Sequence, residues 1–172
     1  AKRPLIIGHR GYPQFAPENT QPSFKLSIEA GADLVELDYH HSQDGVPVIM
    51  HDSTLDRTTD AVKRWGGQKV RLDTKTAAEL QALDAGTWFG NEFSGEHVPT
   101  FEAASALCHG LGLWANVEIK AGEHEDAAEA GRVVAGQAAR LWQRASPAPV
   151  LSSFSEAALA AARDAAPELP RG

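Results

Sequence analysis

Leu34-Val35-Glu36-Leu37-Asp38 sets two carboxylates into an apolar run. Leu34–Leu37 predicts a short buried strand that ends in acid. On a strand, residues two apart point to one face, so Glu36 and Asp38 share a side of the sheet. Two carboxylates in such a place are costly unless they are paired or bind a cation. The pattern therefore predicts a sheet whose strand ends carry chemistry.

The neighbouring segments supply the rest of that sheet. Upstream, Pro4–Gly8 (PLIIG) reads as a buried strand, and Pro17-Glu18-Asn19-Thr20 as a loop leading into a helix over Gln21–Ala30, stopped by Gly31. Downstream, Asp44-Gly45 is a turn signal before a strand over Val46–Met50. Residues 52–100 are irregular, with loop-like stretches at Trp65-Gly66-Gly67 and Gly86–Gly95 and a helix near Thr76–Leu83. Then follow a helix Thr100–Leu111, a strand Leu113–Ile119 (LWANVEI), an Ala-rich helix Glu125–Arg144, a strand Pro149–Ser153 and a helix Glu156–Ala166. Strands alternating with helices predict a parallel α/β sheet. A doubly wound sheet and a barrel both fit that order.

Composition narrows the function. At 172 residues, 42% hydrophobic and 23% charged, the chain suits one domain with a core. Its net charge of −7 argues against a nucleic-acid partner, which calls for a basic face. It leaves room for an anionic small molecule held by a local cluster of arginine, lysine or metal. A single cysteine, Cys108, rules out a disulfide within the chain and reads as a small buried hydrophobe. No apolar run approaches the roughly 20 residues of a membrane span, so no stable membrane insertion is expected. Ala1–Pro4 leads straight into the first strand with no visible signal peptide, which makes the cytoplasm the default compartment.

Polar residues gather at the C-terminal ends of the expected strands, the edge where ligands bind in barrels and open α/β sheets alike. His9-Arg10 follows the first strand, Glu36 and Asp38 end the second, and His51-Asp52 follows the third. Glu118 and Lys120 close the fourth, and Ser152-Ser153-Phe154 the fifth. Glu36, Asp38 and Glu118 together describe an all-oxygen site for a hard divalent cation, Mg²⁺ or Ca²⁺. If Asp44-Gly45 makes a two-residue hairpin, Asp38 faces His51 directly. If the next segment is instead a parallel strand, His51 still reaches the same edge. Two imidazoles, His9 and His51, flanking a cation suit displacement at phosphorus, one taking a proton and the other giving one. Arg10 and Lys120 would hold phosphate oxygens. Phe154 reads as an apolar wall or as rim packing, and Trp88 and Phe89 as a lid or as core. His40, His41, His97, His109 and His124 read as surface or loop.

These residues carry a resemblance. The motifs are His9-Arg10-Gly11, Pro17-Glu18-Asn19-Thr20, Val35-Glu36-Leu37-Asp38, Asp44-Gly45-Val46-Pro47-Val48 and His51-Asp52. They continue with Leu55-Asp56-Arg57-Thr58-Thr59, Val98-Pro99-Thr100, Asn116-Val117-Glu118-Ile119-Lys120 and Ser152-Ser153-Phe154. Together, and in this order, they resemble the glycerophosphodiester phosphodiesterases, of the phosphatidylinositol phospholipase C-like TIM-barrel group. The resemblance implies a (β/α)₈ TIM barrel and a small-molecule glycerophosphodiester as substrate. Its implied products are sn-glycerol 3-phosphate and an alcohol, with Mg²⁺ or Ca²⁺ as the metal. It implies Glu36, Asp38 and Glu118 as metal ligands and His9 and His51 as the acid/base pair. Arg10 and Lys120 become phosphate ligands, and Glu18 a site residue orienting His9 or Arg10. It also makes residues 52–100 a small insertion between the third and fourth strands of a single domain. The attacking oxygen is either water or the neighbouring glycerol hydroxyl.

A complete (β/α)₈ barrel runs to about 250 residues. The five strands read here, followed by Pro167–Gly172 as a lead-in to a sixth, are accordingly expected to be the first part of a longer barrel domain. A related phospholipase D-like or lysophospholipid-cleaving barrel, or a non-catalytic binder of glycerophosphodiesters, is the alternative. The oligomeric state is left open.

Overall fold

The computed structural model describes residues 6–112, 114–120, 127–141, 150–153 and 155–171. Strands β1 (Ile7–Gly8), β2 (Leu34–His41), β4 (Trp114–Ile119) and β5 (Val150–Ser152) lie side by side in that order, each pair parallel. Helices α1 (Gln21–Glu29), α4 (Phe101–Gly110), α5 (Ala127–Leu141) and α6 (Glu156–Ala165) surround them in the sequence. Arg171 bridges in parallel to Leu151 beyond β5.

Strand β3 (Pro47–Ile49) is different. It runs antiparallel to β2, pairing His41 with Pro47, His40 with Val48 and Tyr39 with Ile49. The third strand is therefore an arm of a hairpin and not part of the parallel run. Its register also differs by one residue from that of a two-residue Asp44-Gly45 turn. The Met50 N–H donates to the Asp38 carbonyl at 3.0 Å, so Met50, not His51, stands opposite Asp38. The cause is local. Ser42 donates to Asp44 Oδ1 at 2.5 Å and accepts from the Val46 N–H at 2.9 Å, and the Ser42 N–H donates to the Val46 carbonyl at 3.0 Å. These bonds lengthen the turn, and in a ladder of period two a slip of one residue changes the face each side chain occupies.

The main core joins Val35, Leu37 and Tyr39 of β2, Val117 and Ile119 of β4 and Leu151 of β5 to Phe24 of α1, Phe101 of α4 and Val134 of α5. Cys108 is part of it, and burial pushes its thiol up to about 12, so it packs as an inert small side chain. The irregular segment builds a second core from Val48, Met50, Leu55, Leu72, Leu80, Leu83 and Val98. Within it are α2 (Ala61–Trp65), which the sequence pattern did not predict, and α3 (Ala77–Gln81), where Thr76 and Glu79 form a reciprocal capping box. Asp84 anchors the loop that follows: it accepts from the N–H groups of Gly86, Thr87 and Gly95 and from the Thr87 hydroxyl. Burial would raise its carboxyl, but those donors hold it well below the usual range.

Pro4 and Leu5 of the expected first strand lie outside the described residues. Ile6 and Ile7 are 50% and 54% exposed, not buried as expected; among the described residues β1 stands at one end of the strand order, beside β2.

Candidate active site

The loop after β1 is shaped by the closeness of α1. A Cβ on Gly8 would lie 2.3 Å from Ser27 Oγ, and one on Gly11, whose φ is +90°, would lie 2.3 Å from Ser23 Oγ. Ser23 also donates to the Arg10 carbonyl (3.1 Å) and accepts from the Tyr12 N–H (2.7 Å). Arg10 itself sits at φ 56°, which turns the chain sharply and brings His9 and Arg10 to the end of the sheet. Asn19, at φ 55°, uses a conformation its short amide tolerates. Its amide donates to Asp38 Oδ2 at 3.0 Å.

Strand register then assembles the acids. Asp38 lies directly opposite Glu118, and Glu36 opposite Asn116. Glu36, Asp38 and Glu118 bring ligand oxygens within 4.8 Å of one another. Asp38 is fully buried, with Arg10 Nε 3.4 Å from Oδ2 and Lys120 Nζ 3.9 Å from Oδ1. Lys120 Nζ binds Glu118 Oε1 at 2.8 Å. His9 Nε2 lies 3.3 Å from Glu36 Oε1. Burial, then the charges of Asp38 and Glu118, push the Glu36 carboxyl up to about 7. Burial also acts to raise Glu118, but the bond and charge of Lys120 hold it below the usual range.

A second group adjoins the first. His51 Nδ1 lies 2.8 Å from Asp52 Oδ1. Arg57 grips Asp52 with two nitrogens, Nε to Oδ2 at 2.8 Å and Nη2 to Oδ1 at 3.0 Å, and holds that carboxyl down at about 2. The same Nη2 reaches Glu18 Oε1 at 2.5 Å, and Glu18 Oε2 accepts from Arg10 Nη1 at 2.9 Å. One chain of contacts thus runs from His51 through Asp52, Arg57, Glu18 and Arg10 to Asp38. An ionised Asp52 only accepts, so the His51 proton stands on Nδ1 and Nε2 is left for proton transfer.

The expected residues thus fall into two linked clusters. His9, Glu36, Asp38, Glu118 and Lys120 form one; His51 belongs to the other; Glu18 and Arg10 join them. Glu18 contacts Arg10 and not His9. Phe154 lies outside the described residues, as does His124. His97 and His109 are exposed, as expected of surface positions. His40 is not a surface residue: it is 3% exposed on β2, and its Nε2 stands 3.0 Å from the His51 carbonyl. Trp88 is half-exposed, donates to the Ala85 carbonyl at 2.9 Å and stacks edge-on against Phe89. Three contributors had no role in the sequence reading: Asn19, Asp52 and Arg57. The one available signal was their presence inside the ordered motifs, since their partners are distant in sequence.

The donor set fits a hard divalent cation. It is all carboxylate oxygen, and Glu36 Oε1 and Asp38 Oδ1 are buried without a hydrogen-bond partner. Among the described residues no helix is long and apolar enough to cross a membrane.

Known proteins resemble this chain in sequence and in fold. Residues 9–172 match the model of the glycerophosphoryl diester phosphodiesterase family. The chain is 42% identical over 118 residues to a glycerophosphodiester phosphodiesterase of Caldanaerobacter subterraneus subsp. tengcongensis, a match covering 69% of this chain and 46% of that protein. It is 39% identical over 120 residues to glycerophosphodiester phosphodiesterase 1 of Rattus norvegicus, covering 67% of this chain and 34% of that protein. Among solved structures, an Oleispira antarctica phosphodiesterase in complex with the product sn-glycerol-3-phosphate superposes with a TM-score of 0.85 at 34% identity, covering 98% of this chain and 65% of that one. A glycerophosphodiester phosphodiesterase from Agrobacterium tumefaciens gives 0.81 at 34% identity, covering 98% and 66%. The chain thus spans less than half the length of these curated relatives. Its parallel α/β sheet is part of a (β/α)₈ TIM barrel.

Proposed function

We propose that this chain, which belongs to the glycerophosphoryl diester phosphodiesterase family, carries the groups for metal-assisted hydrolysis of a glycerophosphodiester to sn-glycerol 3-phosphate and an alcohol. One observation carries the reading: Glu36, Asp38 and Glu118 converge at a strand end where His9 already touches Glu36. The product bound by the Oleispira antarctica relative supports the substrate class. Residues 52–100 are read as an insertion within one domain of that family.

Glu36, Asp38 and Glu118 would hold the cation, Mg²⁺ or Ca²⁺. When bound, it would neutralise charge developing on a phosphate oxygen and acidify the attacking hydroxyl. Arg10 and Lys120 face the phosphate; Arg10 is pre-aimed by Glu18, and Lys120 starts from its pairing with Glu118. His9 and His51 divide the proton transfers. His51, with its Nδ1 proton directed to Asp52, works through Nε2. Phe154 is proposed as an apolar contact for the substrate's carbons.

The test is an assay of the full chain on glycerophosphocholine with Mg²⁺ or Ca²⁺, following sn-glycerol 3-phosphate and choline. Release of both, silenced by chelator and restored by added cation, is the expected result. Activity indifferent to chelator would remove the metal role. Cleavage of a lysophospholipid in preference to glycerophosphocholine would move the chain to the lipid-cleaving alternative.

A further inference from the structure

Glu18, His51 and Asp52 form a second group whose ligand atoms all lie within 4.8 Å of one another, the geometry of a cation site. The cation beside them is the chain's own: the Arg57 guanidinium makes two bonds to Asp52 and one to Glu18. We propose that Arg57 is a positioning residue that sets the placement of the His51 imidazole relative to the Arg10 guanidinium by holding Asp52 and Glu18 at once. This rests on the reading of His51 and Arg10 given above.

Glu18 belongs to the loop that enters α1, and residues 51–57 open the segment beyond the hairpin. Among the described residues no backbone–backbone hydrogen bond connects 17–20 to 51–57. The junction is made by side chains, and Arg57 reaches 39 residues back in sequence to Glu18. An ordinary surface ion pair contributes little. This one is different in geometry, because the planar fork meets Asp52 bidentately while a third bond engages a carboxylate that is only 8% exposed. Each carboxylate is in turn committed to a working group: Asp52 to His51 Nδ1, and Glu18 to Arg10 Nη1. Without the guanidinium two like charges would face each other and separate, carrying His51 and Arg10 with them. A lysine in its place offers a point charge and cannot span both carboxylates in one plane.

The experiment compares the full chain with Arg57→Ala, Arg57→Lys and Arg57→Gln. It reads kcat and KM on glycerophosphocholine, and the ¹H–¹⁵N signal of the His51 Nδ1–H. Arg57→Ala is expected to lower kcat on the order of 10–100-fold, as loss of a ligand-orienting partner does. Its His51 signal should collapse into exchange with water. Guanidinium ion at a sub-denaturing concentration should restore both, and Arg57→Lys should restore little. If Arg57→Ala does not fold, Arg57→Gln, which keeps the side-chain carbons out to Cδ and a polar end without the charge, carries the test. A wild-type kcat, or a His51 signal unchanged in the variants, overturns the proposal. So does a loss of activity that guanidinium cannot relieve. If the unaltered chain hydrolyses nothing, the proposed function fails, and the His51 signal alone decides for or against Arg57.

Discussion

Glu118 stands directly across the β2–β4 ladder from Asp38, and Lys120 spans the two, its Nζ 2.8 Å from one carboxylate and 3.9 Å from the other. Three carboxylates converge here, with Lys120 between Asp38 and Glu118 and Arg10 beside Asp38 as resident counter-charges. The lysine therefore serves two partners that pull in opposite directions, the acids and an incoming phosphate.

Lys120→Met should separate these roles. Removing the counter-charge leaves the acids more negative, so the affinity for Mg²⁺ or Ca²⁺, measured by calorimetry, should rise. Losing a charged hydrogen bond to phosphate costs about 1.5–3 kcal/mol, so KM for the diester should rise about 10-fold or more. If both affinities fall together, Lys120 is holding the fold and not the substrate.

His9→Ala and His51→Ala should each lower kcat on the order of 10²–10⁴-fold while leaving the melting temperature near that of the unaltered chain. His9 is well exposed and His51 partly so, so neither supports the core. Near-normal turnover in either variant would end the two-histidine scheme.

Asp52 gives a pH signature. Hydrogen bonding to Arg57, opposed by burial and helped by His51, holds its carboxyl at about 2 against an ordinary 3.8. A lowered folded-state value contributes stability above the unfolded value and loses it as pH falls toward the folded one. The urea midpoint of Asp52→Asn should therefore lie below that of the unaltered chain at neutral pH. The gap should close between about pH 4 and pH 2. A gap constant across that window would mean that the carboxylate charge is not what stabilises.

Gly11→Ala tests the turn that presents Arg10. The added Cβ would sit 2.3 Å from Ser23 Oγ and 2.7 Å from the Ser23 carbonyl carbon, at a φ of +90° that L residues avoid. Strain of about 1–3 kcal/mol should appear as a lower melting temperature, with a rise in KM as Arg10 shifts. An unchanged KM would separate the turn from phosphate binding.

Much of this molecule was legible from local pattern. The same-face placement of Glu36 and Asp38 follows from strand periodicity. So does the alternation that makes the sheet parallel, and the helix starts at Thr76 and Thr100 follow from capping chemistry. His9, Arg10, Glu118 and Lys120 could be assigned to one sheet edge because each follows or closes an apolar run.

The rest depended on contacts between distant segments. The hairpin register was set by Ser42 bonding across its own turn, which a turn dipeptide does not reveal. His40 reads as surface or loop from sequence, yet β2 continues through it and buries it, with its Nε2 3.0 Å from the His51 carbonyl. Ile6 and Ile7 read as core because they are apolar, yet among the described residues their strand stands at the end of the order and both are half-exposed.

The sequence by itself determined which chemical groups this protein owns and which strand ends carry them, because strand and helix periods are properties of neighbouring residues. Only the tertiary structure decided that Asp38 meets Glu118, and that Arg57 ties Asp52 to Glu18, because register and ion pairing across 39 residues depend on how separate segments pack.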